Sequence, residues 1–181
     1  MNNIILTGMP GTGKSTVGVL LAKALKMPFI DTDLLLQEKE NMFLQEIILD
    51  KGIEAFLKAE EEIVLELRTK GSVIATGGSV VLKEKAMKCL KTCGLVLYLK
   101  LSFSEIENRI KNIKTRGIAM QEEQTLYSVF VERTPLYEKY ADETIPCMGK
   151  SMEEIVEEIK TLWTKNLLFM GKYGHDRDQI I

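Results

Sequence analysis

The chain has 181 residues, enough for one domain with a substantial core and short of two ordinary ones. Its apolar content of 45%, charged content of 28% and formal net charge of -2 are ordinary for a globular protein and give no reason to expect nucleic acid as a partner. No apolar run approaches the roughly 20 residues that span a bilayer, and no signal-peptide layout is visible, so a cytoplasmic protein without membrane attachment is expected. Three cysteines, Cys89, Cys93 and Cys147, and the single His175 make no zinc framework. Reduced, partly buried thiols are expected.

In chain order, Ile4-Ile5-Leu6 reads as a short buried strand. Gly8-Met9-Pro10-Gly11-Thr12-Gly13-Lys14-Ser15 then fits G-x-x-x-x-G-K-[ST], the phosphate-binding P-loop. Val17, Leu20, Leu21, Ala24 and Leu25 follow at the spacing of one helical face. A strand before the loop and a helix after it would aim free backbone N–H groups and the positive helix end at an anion. Lys14 would reach the β/γ-phosphates and the Ser15 hydroxyl would bind Mg²⁺.

Pro28-Phe29-Ile30 reads as a second strand ending at Asp31-Thr32-Asp33, where ligands collect in an open α/β sheet. From Leu34 to Lys70 the pattern is helical, broken at Gly52, and Glu60-Glu61-Glu62 is expected to be a solvated face. Ser72 to Thr76 is a third strand, stopped by Gly77-Gly78-Ser79, with a helix over about 83–91 and a fourth strand at Leu95 to Leu99. Ser102 with Glu105, and Ser151 with Glu154, are capping boxes that open helices. Between them, 115–124 reads as a loop or lid, Leu126 to Tyr140 as a helix and Thr144 to Cys147 as an edge strand. The alternation predicts a parallel sheet with helices on both faces and right-handed crossovers.

These motifs together resemble the shikimate kinase family, small P-loop kinases of the nucleoside-monophosphate-kinase fold. The resemblance runs over about residues 3–164. It rests on Gly8–Ser15, Phe29 to Asp33, Gly52-Ile53-Glu54-Ala55-Phe56 with Glu60, Ile74 to Gly78, Arg116, and Arg133-Thr134-Pro135-Leu136-Tyr137. It implies a three-layer α/β fold with a five-stranded parallel sheet of order 2-3-1-4-5 and a mobile lid at about 112–124. It also implies substrate-binding helices at about 34–60 within a single kinase domain over 1–168; beyond it, 169–181 reads from its residues as a polar tail. The implied reaction is transfer of the ATP γ-phosphate to the 3-hydroxyl of shikimate, a step of aromatic amino acid biosynthesis, by a monomer.

The site residues carry over by position. ATP would lie on Gly8, Gly11, Thr12, Gly13, Lys14, Ser15 and Thr16, with Arg109 against adenine, Lys150 in the adenine loop and Arg116 over the phosphates. Ser15 and Asp31 match the Mg²⁺ site, where a carboxylate suits a hard cation. Asp33 matches the residue that grips the accepting hydroxyl and can take its proton. Gly77 and Gly78 match a turn whose N–H groups face the substrate, and Arg133 matches a ligand of the substrate carboxylate. Lys14, Asp33 and Arg116 are the expected catalytic residues.

The chain departs from the family at three places. Leu57 stands where the family has a carboxylate-binding arginine. Lys58 does not simply substitute, since one helical residue turns about 100°. Losing that contact should cost about 1.5–3 kcal/mol. Ser79 replaces the last glycine of the turn, and the lid reads Arg116-Gly117-Ile118 in place of Arg-Pro-Leu. Leu57 would give the acceptor pocket a more apolar wall. The pattern therefore leaves open another small hydroxyl acceptor, or a nucleotide-binding sensor without transferase activity.

Overall fold

A computed structural model describes residues 3–111, 118–121 and 123–173, and the side chains of these as far as 167 apart from residue 111. Five strands, β1 (Asn3–Thr7), β2 (Phe29–Asp31), β3 (Val73–Ala75), β4 (Gly94–Lys100) and β5 (Glu143–Pro146), form one sheet. Its order is β2-β3-β1-β4-β5, and every pairing is parallel. Among the described residues, seven α-helices connect and flank it: α1 (Lys14–Leu25), α2 (Thr32–Glu40), α3 (Leu44–Glu66), α4 (Glu84–Cys93), α5 (Phe103–Lys111), α6 (Leu126–Tyr140) and α7 (Met152–Tyr173).

β1 is buried at every residue, as a central parallel strand covered on both faces must be. Ile4, Ile5 and Leu6 join Val73, Ile74, Val96 and Leu97 in the main core. Asn3 stitches the entry of this layer. Its Nδ2 donates to the Thr69 and Cys93 carbonyls at 3.1 and 3.0 Å, and its Oδ1 accepts from the Ser72 N–H at 3.0 Å. A smaller apolar cluster of Leu36, Ile47, Phe56, Leu57, Ile63 and Ala119 lies where α2 and α3 meet.

Three differences from the sequence reading have local causes. The helical stretch after β2 is two elements, and Gly52 kinks α3 without ending it, with φ 81° and ψ 166°. Only glycine takes such a conformation at little cost. A 3-10 turn over Val80–Leu82 precedes α4, which runs to Cys93. The last helix continues past Leu168, through Tyr173, because the apolar spacing does not stop there.

Candidate active site

The P-loop is folded around its glycines. Gly8, Gly11 and Gly13 have φ of 147°, 84° and 91°, all in the region that favours glycine. A Cβ on Gly8 would lie 2.8 Å from the Leu99 carbonyl, so β4 leaves no room for a side chain. Gly13 is the N-cap of α1, and the loop runs directly into that helix. Thr12 braces the loop from inside, its hydroxyl donating to the Met9 carbonyl at 2.9 Å. Lys14 is 8% exposed, and its Nζ donates to the Gly8 and Met9 carbonyls at 2.8 and 3.0 Å. Ser15 is half-buried at the cavity wall, while Thr16 is exposed.

Two elements flank the loop. Arg109 of α5 donates to the Gly11 carbonyl at 3.4 Å and lies 3.8 Å from Glu105. Lys150 is paired with Glu158 at 2.5 Å, just before α7, whose Met152 packs on Gly13. The structure therefore brings Arg109 and the start of α7 to the P-loop flank.

A cavity of about 200 Å³ opens beside the loop, lined by Lys14, Ser15, Asp31, Asp33, Glu60, Ser79 and Arg133 among others. Asp31 caps α2, its Oδ1 accepting from the Asp33 N–H at 3.0 Å. Both carboxylates line the cavity. Gly78 packs on the P-loop, since a Cβ there would lie 2.8 Å from Pro10 Cδ. Its carbonyl accepts from Arg133 Nη1 at 3.3 Å and from the Tyr137 hydroxyl at 2.5 Å. Arg133 is 2% exposed and also donates to the Ala119 carbonyl. Its Nε is buried with no hydrogen-bond partner among the described residues. A fixed guanidinium with an unsatisfied N–H beside a cavity suits an anionic ligand.

Three expectations change, at Gly77, Leu57 and Glu60, and the one for Lys58 stands. Gly77 does not present a free N–H, because that group donates to Thr32 Oγ1 at 3.0 Å. Leu57 does not line the cavity. It packs into the smaller apolar cluster, and Phe56 and Glu60 of the same helix form the wall. Lys58 points away, its side chain 74% exposed and 3.8 Å from Glu62, so it does not stand in for an arginine. Glu60 is not on a solvated face: it is 4% exposed, and its carboxylate accepts from the Ser79 hydroxyl. Burial, then the nearby Asp33, pushes the Glu60 carboxyl up to about 8, against the Ser79 hydrogen bond, Arg133 and Lys14. The sequence held a signal for this. Phe56, Glu60, Ile63 and Val64 fall at i, i+4, i+7 and i+8, one inward helical face, and the run of three acids hid it. Arg116 and most of the lid expected at 112–124 lie outside the described residues.

Comparison with known proteins gives one answer. The sequence model of the shikimate kinase family matches residues 10–163. A shikimate kinase of Caldanaerobacter subterraneus is 39% identical over 168 residues, covering 91% of this chain and 98% of that protein. One of Thermodesulfovibrio yellowstonii is 40% identical over 162 residues, covering 88% and 93%. Among solved structures, the shikimate kinase of Acinetobacter baumannii in complex with shikimate superposes with a TM-score of 0.85 at 31% identity, covering 92% and 94% of the two chains. With the family pattern spread over the P-loop, the acceptor turn and α6, this chain belongs to the shikimate kinase family.

Proposed function

We propose that this chain transfers the γ-phosphate of ATP to the 3-hydroxyl of shikimate, a phosphotransferase step of aromatic amino acid biosynthesis. The observation that carries this reading is one cavity shared by a glycine-built phosphate loop, Asp33 and the pinned Arg133. Arg133 would take the acceptor carboxylate. Asp33 would orient the hydroxyl and accept its proton as it attacks. Lys14 would leave the Gly8 and Met9 carbonyls for the β/γ-phosphates, and the N–H groups at the start of α1 would hold the same anion. Arg109, Lys150, Thr12 and Thr16 belong to the nucleotide end in this reading, and Gly77, Gly78 and Ser79 to the acceptor end. Arg116 completes the catalytic set as the lid cation.

Ser15 and Asp31 offer a hydroxyl and a carboxylate oxygen on one wall, a donor set suited to a hard divalent ion. We assign Mg²⁺ to it, and its chemistry there is neutralisation of phosphate charge. The enzyme is read as one kinase domain over 1–168, acting as a cytoplasmic monomer. No described helix is long and apolar enough to cross a membrane.

The test is ADP release with Mg·ATP, comparing shikimate with small polyols, hydroxy acids and nucleoside monophosphates. Shikimate-dependent turnover that collapses in Asp33→Asn is the expected result. Turnover with another acceptor, and none with shikimate, would move the specificity to that compound.

A further inference from the structure

Glu60 is a buried acid in the acceptor wall that phosphoryl transfer does not use. Its two oxygens have different surroundings. Oε2 accepts from the Ser79 hydroxyl. Oε1 crowds Gly77 from the same side as Asp33 Oδ1: a Cβ on Gly77 would collide with the first and lie 2.7 Å from the second. Two carboxyl groups thus share one small wall. Among the described residues, the charged and titratable groups facing Glu60 are Asp33 of α2, Lys14 of α1, and Arg133 and Tyr137 of α6. Arg133 is tied to the Gly78 and Ala119 carbonyls, and Lys14 hydrogen-bonds the Gly8 and Met9 carbonyls. Ser79, a hydroxyl, is the group that hydrogen-bonds Glu60.

We propose that Glu60 and Ser79 form one acceptor-recognition unit, in which Glu60 stands as the neutral acid with its proton on Oε1, and that the pocket takes an anionic acceptor only while that proton is held. The proposal rests on the kinase reading of this site. Asp33 is left to meet the hydroxyl of the acceptor. A second carboxylate beside it would repel both the acceptor carboxylate and the incoming phosphates, in a cavity where screening by water is weak. Ser79 orients Glu60 by occupying Oε2, which leaves Oε1 to carry the proton.

The sign of the effect follows. Burial and Asp33 raise the carboxyl to about 8, so Glu60 is neutral below that pH and charged above it. Affinity for an anionic acceptor should fall as pH rises through that point. Turnover at saturation depends on Asp33 and the P-loop and should show no matching break.

The experiment measures KM and kcat for shikimate in the full chain, from about pH 6 to about pH 9.5, across the point where Glu60 would lose its proton. The wild type should show a flat KM at the acid end and a rise of about tenfold per pH unit above the break. Glu60→Gln, which keeps shape and cannot ionise, should show no such break in KM. Ser79→Ala removes a donor to the charged form, so its break should move to higher pH. A flat wild-type KM, or the same break in Glu60→Gln, overturns the proposal. An acceptor-free readout stands beside this: the ¹³C carboxyl titration of Glu60, assigned by its absence in Glu60→Gln. A midpoint far above the ordinary glutamate range supports the proposal, and an ordinary midpoint overturns it. Shikimate inert at every pH would instead sink the acceptor assignment, and the carboxyl titration would still judge Glu60.

Discussion

In the phosphate half of the site, the groups that would face the ligand come from residues 8–15 and are mostly backbone. In the acceptor half they are side chains from four places: Asp33 on α2, Glu60 on α3, Ser79 after β3 and Arg133 on α6. The first half holds its shape through glycine conformations and the Thr12 hydroxyl on the Met9 carbonyl, which are local. The second holds its shape through long-range hydrogen bonds onto one turn, where Gly77 is tied to Thr32 and Gly78 to Arg133 and Tyr137. A backbone cradle can bind phosphate in many proteins unchanged. A side-chain pocket can change specificity by one residue, and it also carries part of the fold's stability.

Two substitutions separate the halves. Lys14→Met removes the cation of the phosphate half, and a loss of about a hundredfold to a thousandfold in kcat is expected, the scale of one charge-stabilising donor. The fold should hold at a cost of about 1–3 kcal/mol for the buried Gly8 carbonyl that loses its donor, because the Met9 carbonyl keeps the Thr12 N–H and hydroxyl. Steady-state ADP release and a thermal melt check both points. Arg133→Met should act on both quantities at once. KM for shikimate should rise by about tenfold to a hundredfold, the worth of a charged hydrogen bond. Stability should fall by about 1–3 kcal/mol, since a buried carbonyl partner at Ala119 is lost. An Arg133→Met protein with unchanged denaturant midpoint would break the comparison, for the acceptor half would then be separable from the fold.

The same division decides what was legible in the sequence. The P-loop, the strands and the parallel sheet could be read because glycine spacing and apolar runs are local signals. The order of the sheet came with the family resemblance, and the structure has it. The acceptor wall was harder. Ser79 stood out as a departure, but its partner is Glu60, on another element, and nothing local names it. The N–H of Gly77 was expected to be free, yet Thr32, 45 residues earlier, takes it. Which residue of α3 faces the cavity depends on helix phase after the Gly52 kink. That phase puts Phe56 and Glu60 at the wall and Leu57 in the apolar cluster.

Leu57→Arg is the smallest and sharpest test of the contrast. Leu57 is 7% exposed and packs with Leu36, Ile47, Phe56 and Ile63, so an arginine there displaces core contacts. Overpacking of this kind should cost about 1–3 kcal/mol in denaturant unfolding. Glu60 lies three residues on, a neighbour on the helix surface. A guanidinium reaching it would favour the charged carboxylate and return its titration toward the ordinary range. The new cation and the released negative charge offset each other, so KM for shikimate near neutral pH should change by only about threefold or less. What should vanish is the rise in KM above pH 8 expected of the wild type, where Glu60 is pushed up to about 8. The paired measurement is KM against pH for wild type and Leu57→Arg. A break kept at the same pH would mean that position 57 stays in the core with no hold on Glu60, and that burial and Asp33 still set the acid's state. A break lost together with a large gain in affinity would mean that the inserted arginine binds the acceptor carboxylate directly, and that the acceptor half is limited by its missing cation.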